Sequence, residues 1–321
     1  MEYHGDWKSF SGIATALLDG NPIAIALTAL FAFGLPVLLH LIFYSRVASP
    51  PSSNFLLLGP SGAGKTAFVS LLESKSSQLA KRLSHATHTS QSSTLATVSL
   101  PASVQTASNR FRSVNDTSLK DISRNPVKYR VKDTPGHGKL RGSQGLSQLA
   151  TMSTSNDSNM KARGVLFMVD TAALSDPETL RDTASYLYDV LFVLQRRALK
   201  KKGKNVAKVA GEIPVLVAAN KQDLFTALPP GSVRQCLEAE IDRIRKSKSK
   251  GLMDANTDFG AGEEEDDILG SNDVNDTFTF DLLGDEIGIS VEVVGGAVKG
   301  DEEGNLGAGV RKWEEWIGQC L

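Results

Sequence analysis

Eight residues, Gly59 to Thr66, read GPSGAGKT. Glycines, a lysine and a hydroxyl in this order suit one task, the gripping of phosphates. Gly59, Gly62 and Gly64 free the backbone to aim successive N–H groups at phosphate oxygens, with Pro60, Ser61 and Ala63 completing the loop. A helix N-terminus behind such a loop adds a favourable field. Lys65 would reach the β- and γ-phosphates, and the Thr66 hydroxyl would ligate Mg²⁺. The pattern G-x-x-x-x-G-K-[ST] requires a strand before it and a helix after it. Phe55 to Leu58 and the stretch TAFVSLLES supply both. The loop implies a nucleoside triphosphate without saying which one.

The base is specified downstream. EIPVLVAANKQDLF has the pattern of a buried strand ending in Asn220-Lys221-x-Asp223. A carboxylate at Asp223 can accept from both N1–H and the exocyclic amine of guanine, whereas adenine offers an acceptor at N1 and no such amine. Hydrogen bonds to charged groups contribute roughly 1.5–3 kcal/mol each, enough for strong discrimination. Lys221 would lie along the base plane, and Asn220 would tie this loop to the phosphate loop. Between the two motifs, YRVKDTPGHGKLR places Asp133 at a strand end, able to hold Mg²⁺ through a water. The Gly136 N–H could bond the γ-phosphate, so that its removal relaxes the following segment. His137 stands where a side chain could orient an attacking water, or else point away. A second magnesium hydroxyl is expected among Thr87, Thr89, Thr94 and Thr97, which spacing does not separate.

Several elements must position these groups. RGVLFMVDTAAL reads as another buried strand ending at Asp170. After it, Ser175 to Glu178 reads as a capping box with Pro177 in the first turn. Leu180, Ala184, Leu187, Leu191 and Leu194 then recur at helical spacing. The RRALKKKGK tail of that helix reads as solvated. Val233, Leu237, Ile241 and Ile244 mark a further helix capped by Ser232, and a last helix buries Trp313 and Ile317. Strands alternating with helices imply an α/β fold, a doubly wound and mostly parallel sheet with the nucleotide at the carboxyl ends of its strands. Two segments break the alternation. Residues 141–161 are poor in bulky apolar side chains, and residues 245–276 swing from basic to acidic, so disordered insertions are expected near 142–160 and 245–276.

Upstream, NPIAIALTALFAFGLPVLLHLIFY (residues 21–44) carries no charge. Roughly 20 apolar residues suffice to cross a bilayer. A signal peptide would have a basic start and a shorter core, and a buried core helix would show a polar face, so an anchor helix is expected. It would follow a short N-terminal segment (1–20) and precede a linker (45–53) stiffened by Pro50 and Pro51, with the nucleotide domain over 54–321. Lys8 and Arg46 leave orientation undecided by charge. The 321 residues are enough for one sizeable domain plus such an anchor, and a net charge of −1 without a basic stripe argues against a direct nucleic-acid partner. Cys236 and Cys320 lack metal-ligand or disulfide-framework spacing and suit a reducing compartment.

Taken together, DTPGHGKLR, GVLFMVD, ANKQDLFTALPP followed by LEAEI, and the ending from Phe278 and Phe280 through WEEWI resemble the family of signal recognition particle receptor β subunits. The resemblance covers the anchor and nearly all of the nucleotide domain. It implies a P-loop GTPase fold on one N-terminal transmembrane helix in the endoplasmic reticulum membrane, with GTP/GDP and Mg²⁺ as cofactors. THTSQ resembles the family's first switch and favours Thr87 as the magnesium threonine. VEVVGGAVKG resembles its last base-contacting loop and puts Ala297 near the guanine carbonyl, with Gly296-Ala297-Val298 in place of the usual Ser-Ala-Lys. The family also implies recruitment of the receptor α subunit by the GTP-bound form, and through it signal recognition particle, ribosome and translocon. GTP is cytosolic, so the domain would face the cytosol and residues 1–20 the lumen.

Two rival readings remain at this level. The absence of glutamine at position 137 suits a scaffold that binds GTP permanently and hardly hydrolyses it. A transport GTPase of the ADP-ribosylation-factor type is the other, although such proteins use a lipidated amphipathic start. On every reading Lys65→Ala should abolish nucleotide binding while leaving membrane insertion intact, checked by nucleotide retention on the membrane-extracted chain.

Overall fold

The computed structural model describes residues 22–47, 53–76, 90–101, 103–107, 126–155, 157, 160–200, 206–259, 268–270, 277–299 and 309–321. The chain divides into two units, Met1–Pro51 and Ser52–Leu321.

In the first unit, helix α1 (Pro22–Val47) runs for 26 residues with Pro36 inside it, about 39 Å at the usual rise. Leu30, Phe31, Phe33, Leu35, Val37, Leu38 and Leu39 are exposed. Thr28 returns its hydroxyl to the Ile25 carbonyl at 3.0 Å. Among the described residues no helix is long and apolar enough to cross a membrane.

The second unit is built on a six-stranded sheet: β1 (Ser53–Leu58), β2 (Thr94–Ser99), β3 (Lys128–Asp133), β4 (Ala162–Asp170), β5 (Val215–Asn220) and β6 (Val291–Gly295), in the order β2-β3-β1-β4-β5-β6. All neighbours are parallel except β2, which lies antiparallel on β3 at one edge. Strands β1 and β5 are buried at every position, as expected where both faces of a parallel sheet are covered. Alternation sends Leu56 and Leu58 to one core and Phe55 and Leu57 to the other.

The first core is closed by several helices. They are α3, α4 (Pro177–Lys200), α5 (Val206–Ala210), α6 (Pro230–Phe259) and α7 (Phe280–Ile287). Here α3 denotes three consecutive segments: an α-turn Gly138–Leu140, a π-helical turn Arg141–Leu146 and an α-helix Ser147–Thr154. The second core is closed by α2 (Lys65–Ser76) and α8 (Arg311–Cys320). There Phe68 meets Trp313 edge-on at 5.4 Å, and Phe55 meets Trp316 at 6.3 Å. The buried Trp313 indole donates to the Val294 carbonyl at 2.9 Å, so its burial leaves no polar group orphaned.

The expected doubly wound sheet is thus present, and the helical stripe from Leu180 to Leu194 packs against it. Five local expectations are corrected. The cap of α4 is Asp176, whose carboxylate accepts from the Thr179 N–H and hydroxyl, while Ser175 lies in the preceding 3₁₀ turn Ala173–Ser175. Those two bonds hold the Asp176 carboxyl below its usual range. Helix α6 starts at Pro230, which puts Ser232 inside it. The segment 142–160, expected to be disordered, is largely helical as far as Thr154, because Gly145, Leu149 and Met152 bury against the sheet and α4. Of 245–276, residues as far as Phe259 continue α6, Arg245 is buried, and Leu269 joins the core; residues 260–267 and 271–276 lie outside the described set. Arg197 is buried as well, on Glu212 at 2.7 Å, so the basic end of α4 is not wholly solvated.

Replacing Trp313 by alanine removes the largest contact of the second core. The expected loss is about 3–5 kcal/mol of unfolding free energy, read from urea denaturation of the chain.

Candidate functional site

The phosphate loop joins the end of β1 to the start of α2. Gly59, Gly62 and Gly64 all take left-handed backbone angles. At Gly64, with φ of +94°, the need is double, since a Cβ would also stand 2.4 Å from the Asn220 amide nitrogen. Lys65, the first residue of α2, is buried and arches back to donate from Nζ to the Gly59 carbonyl at 2.9 Å and the Pro60 carbonyl at 2.8 Å. Burial pushes its ammonium down from 10.5 to about 8, with Asp133 acting in the opposite direction.

Beside it, the Thr66 hydroxyl donates to Asp133 Oδ2 at 2.7 Å and lies 3.0 Å from the Ser90 hydroxyl. A threonine has one hydroxyl proton, so Ser90 is the donor of the second bond. Asp133 is buried, and its Oδ1 has no hydrogen-bond partner among the described residues. Burial raises its carboxyl above the usual range, against the Thr66 bond and the Lys65 charge. An orphaned carboxylate oxygen next to a hydroxyl fits a hard divalent cation, so Thr66 and Asp133 could hold Mg²⁺. Of the four threonines considered for a second hydroxyl, Thr87 and Thr89 lie outside the described residues, and Thr94 and Thr97 are exposed on β2. Ser90 is the hydroxyl that the structure places there, one that a search confined to threonines misses.

The turn after β3 comes back onto the phosphate loop. Gly136 is so close that a Cβ would lie 2.5 Å from Lys65 Nζ and 2.6 Å from the Ser61 nitrogen. His137 is exposed, and its carbonyl accepts from the Leu140 and Arg141 N–H groups to open α3. Gln144 on α3 then pairs with the segment before β2 as a second peptide would. Its Oε1 accepts from the Ser93 N–H at 3.0 Å and its Nε2 donates to the Gln91 carbonyl at 3.1 Å. Gln148, one turn on, donates to Ser93 Oγ at 2.8 Å. These glutamines, four residues apart, join the two flanks of the site.

On the far side Asn220 ends β5, buried. Its amide nitrogen donates to the Ala63 carbonyl at 2.8 Å, and its Oδ1 accepts from the Val298 N–H at 3.1 Å. The expected tie between base loop and phosphate loop is therefore present. Lys221 takes a left-handed φ of 65° and pairs with Asp170, an acidic partner the motif did not specify. Asp223 is exposed with its carboxylate turned to no described residue. Ala297 lies in the same region, but its N–H donates to the Gly309 carbonyl at 3.1 Å, so the described geometry does not present it to a base.

Among known proteins, a family model described as the signal recognition particle receptor beta subunit matches residues 51–287. The chain belongs to that family. A Saccharomyces cerevisiae signal recognition particle receptor subunit beta is 28% identical over 189 residues, 59% of this chain and 65% of that protein. A Dictyostelium discoideum counterpart is 28% identical over 213 residues, 66% of this chain and 53% of that protein. The chain thus spans between about half and two thirds of the length of these receptor β subunits. Among solved structures, a Chaetomium thermophilum receptor SRb-GTP/SRX complex superposes with a TM-score of 0.57 at 35% identity, covering 84% of this chain and 99% of that one. A Chaetomium thermophilum SRb-GDP-Mg structure gives 0.55 at 33% identity, covering 84% and 98%.

The lowered Lys65 pKa has a pH signature in the ligand-free protein. Between about 8 and 10.5 the unfolded lysine still holds its proton while the folded one has lost it. Stability therefore rises with pH across that window wherever Lys65 contributes. Urea unfolding at both ends of the window should show this rise in the wild type and a smaller one in Lys65→Met.

Proposed function

We propose that this chain is the GTP-binding β subunit of a signal recognition particle receptor, held in the endoplasmic reticulum membrane by α1. In this reading the GTP-bound form recruits the receptor α subunit, and through it signal recognition particle and ribosomes at the translocon. The observation that carries it is the Asn220 brace, which holds a guanine-type N-K-x-D loop at a set distance from the phosphate loop. The solved relatives bound to GTP, and to GDP with Mg, support the same ligand and ion.

Each residue then has a role. The backbone of Gly59 to Gly64 and the Lys65 ammonium bind the phosphates. Thr66 and Asp133 would hold Mg²⁺, and the ion would supply charge neutralisation at the β- and γ-phosphates. Ser90 or Thr87 supplies the further hydroxyl. Gly136 meets the γ-phosphate through its N–H. Asp223 accepts the two guanine donors, while Lys221, steadied by Asp170, flanks the base. In this reading His137, exposed beside Gly136, stands in for the glutamine that would orient an attacking water, so slow hydrolysis is the expected chemistry.

The uncharged run over residues 21–44 has the roughly 20 residues that a span of bilayer hydrocarbon needs. The exposed Leu30, Phe31, Phe33 and Leu35 suit lipid contact. The domain then faces the cytosol, where GTP is, joined to α1 by the few residues between Val47 and Ser53. A partner that recognises its GTP form would be captured at the membrane.

Competition against labelled GDP tests the base reading. Wild type should prefer GDP over ADP by several orders of magnitude, and Asp223→Asn should lose about 10–100-fold of guanine affinity. An unaltered preference in that variant would sink the assignment. Purification of the full chain in GTP or GDP, scored for a co-purifying receptor α subunit, tests the partner; equal recovery in both would reject the switch.

A further inference from the structure

Gly136 is gripped from two sides. Above it stands the phosphate loop, already at the closest approach that a glycine allows. Below it stands Arg141, whose Nε donates to the Gly136 carbonyl at 2.8 Å. The two terminal nitrogens of the same guanidinium take both oxygens of Asp182 on α4, at 2.8 and 2.7 Å. The guanidinium carbon also lies 4.8 Å from the ring centre of Tyr186, one turn further along α4. That ring is itself fixed, edge-on to Phe167 of β4 at 5.4 Å and against Gly145 of the π-helical turn. One planar fork therefore links the Gly136–His137 peptide to a helix packed on the sheet. An ammonium could not make this arrangement, since it has neither the fork nor the stacking face.

We propose that Arg141 is a positioning residue for triphosphate recognition: by fixing the Gly136–His137 peptide to Asp182, it keeps the turn where a γ-phosphate meets it. This rests on the guanine-nucleotide reading above and adds to it the residue that sets preference for triphosphate over diphosphate. The physical reason is a population effect. Gly136 sits in a glycine-containing turn opening a π-helical segment, RGSQGL, with two further glycines and a serine, a composition with weak intrinsic helical preference. Left untethered, this turn would spread over several arrangements, and only one would offer the Gly136 N–H to a γ-phosphate. The apparent affinity for any ligand that needs that arrangement falls by the fraction of molecules occupying it. A diphosphate does not reach Gly136 and is indifferent to that fraction. The Arg141 side chain is 13% exposed, whereas that of Asp182 is 58% exposed. The peptide contact is thus sheltered, while its acidic partner remains open to competition by salt.

The experiment measures dissociation constants of fluorescent GDP and of a non-hydrolysable fluorescent GTP analogue, using the full chain in detergent micelles. Arg141→Ala should weaken the triphosphate analogue on the order of tenfold or more and leave GDP within about twofold. Arg141→Lys should not restore the ratio. Asp182→Asn should shift it in the same direction by less, and the double variant should be no worse than Arg141→Ala, since both substitutions break one chain of contacts. Equal weakening of both nucleotides would mean that Arg141 only supports the fold, and an unchanged ratio in all variants would also overturn the proposal. If Arg141→Ala fails to fold, Asp182→Asn alone decides, through whether the ratio moves. A wild type that binds neither nucleotide would remove the guanine-nucleotide reading itself, an outcome distinct from a wild type that binds both.

Discussion

The carboxamide of Asn220 is the constraint on which the site depends. Its nitrogen holds the phosphate loop at Ala63, and its oxygen holds the loop after β6 at Val298. Its backbone carbonyl accepts from both the N–H and the hydroxyl of Thr171 after β4. Three loops from three strand ends are thereby tied to one buried residue. A ligand that spans from phosphate to base needs those grips at a fixed separation, and ordering them beforehand spares the ligand that cost on binding. The left-handed backbone of Gly64 follows from the same contact, because the Asn220 amide occupies the space that a side chain there would need.

Around that brace the site carries two unsettled charges. Lys65 is buried against two carbonyls that accept from its ammonium without neutralising it, and burial lowers its pKa. Asp133 is buried with one oxygen unpartnered among the described residues, and burial raises its pKa. Each shift reports a desolvated group short of counter-charge. An anion over the lysine and a cation beside the aspartate relieve both at once, which is the charge pattern of a nucleotide phosphate with its magnesium ion. The arrangement is a complementary template in electrostatics as much as in shape.

Those parts that repeat a local pattern could be read from the chain. Buried strands showed as continuous apolar runs, α4 as a stripe at helical spacing, and the phosphate loop as glycines at set intervals. What escaped was set by tertiary partners. Asp176, rather than Ser175, caps α4 because the helix begins at Pro177, a one-residue difference no propensity resolves. The stretch after His137 looked unstructured because its helix is stabilised by few apolar residues, Leu149 and Met152 among them, and by the polar grips of Arg141, Gln144 and Gln148. The charged run past Arg245 continues a long helix because Arg245 and Ser249 bury one side of it. Ser90 was missed because serine and threonine offer the same hydroxyl, and only proximity to Thr66 separates it from its neighbours.

The second core has a consequence for biogenesis. Phe55 and Leu57 of the first strand and Phe68 of the first domain helix wait on Trp313, Trp316 and Ile317, more than two hundred residues later, to cover them. During translation, which proceeds from the N-terminus, α2 alone covers this side of the sheet until α8 has left the ribosomal tunnel. The half-made domain therefore presents an aromatic and aliphatic slab to the cell for nearly the whole of its synthesis. A chain that has emerged with its six strands but without α8 should thus engage chaperones through the uncovered side chains of this second core.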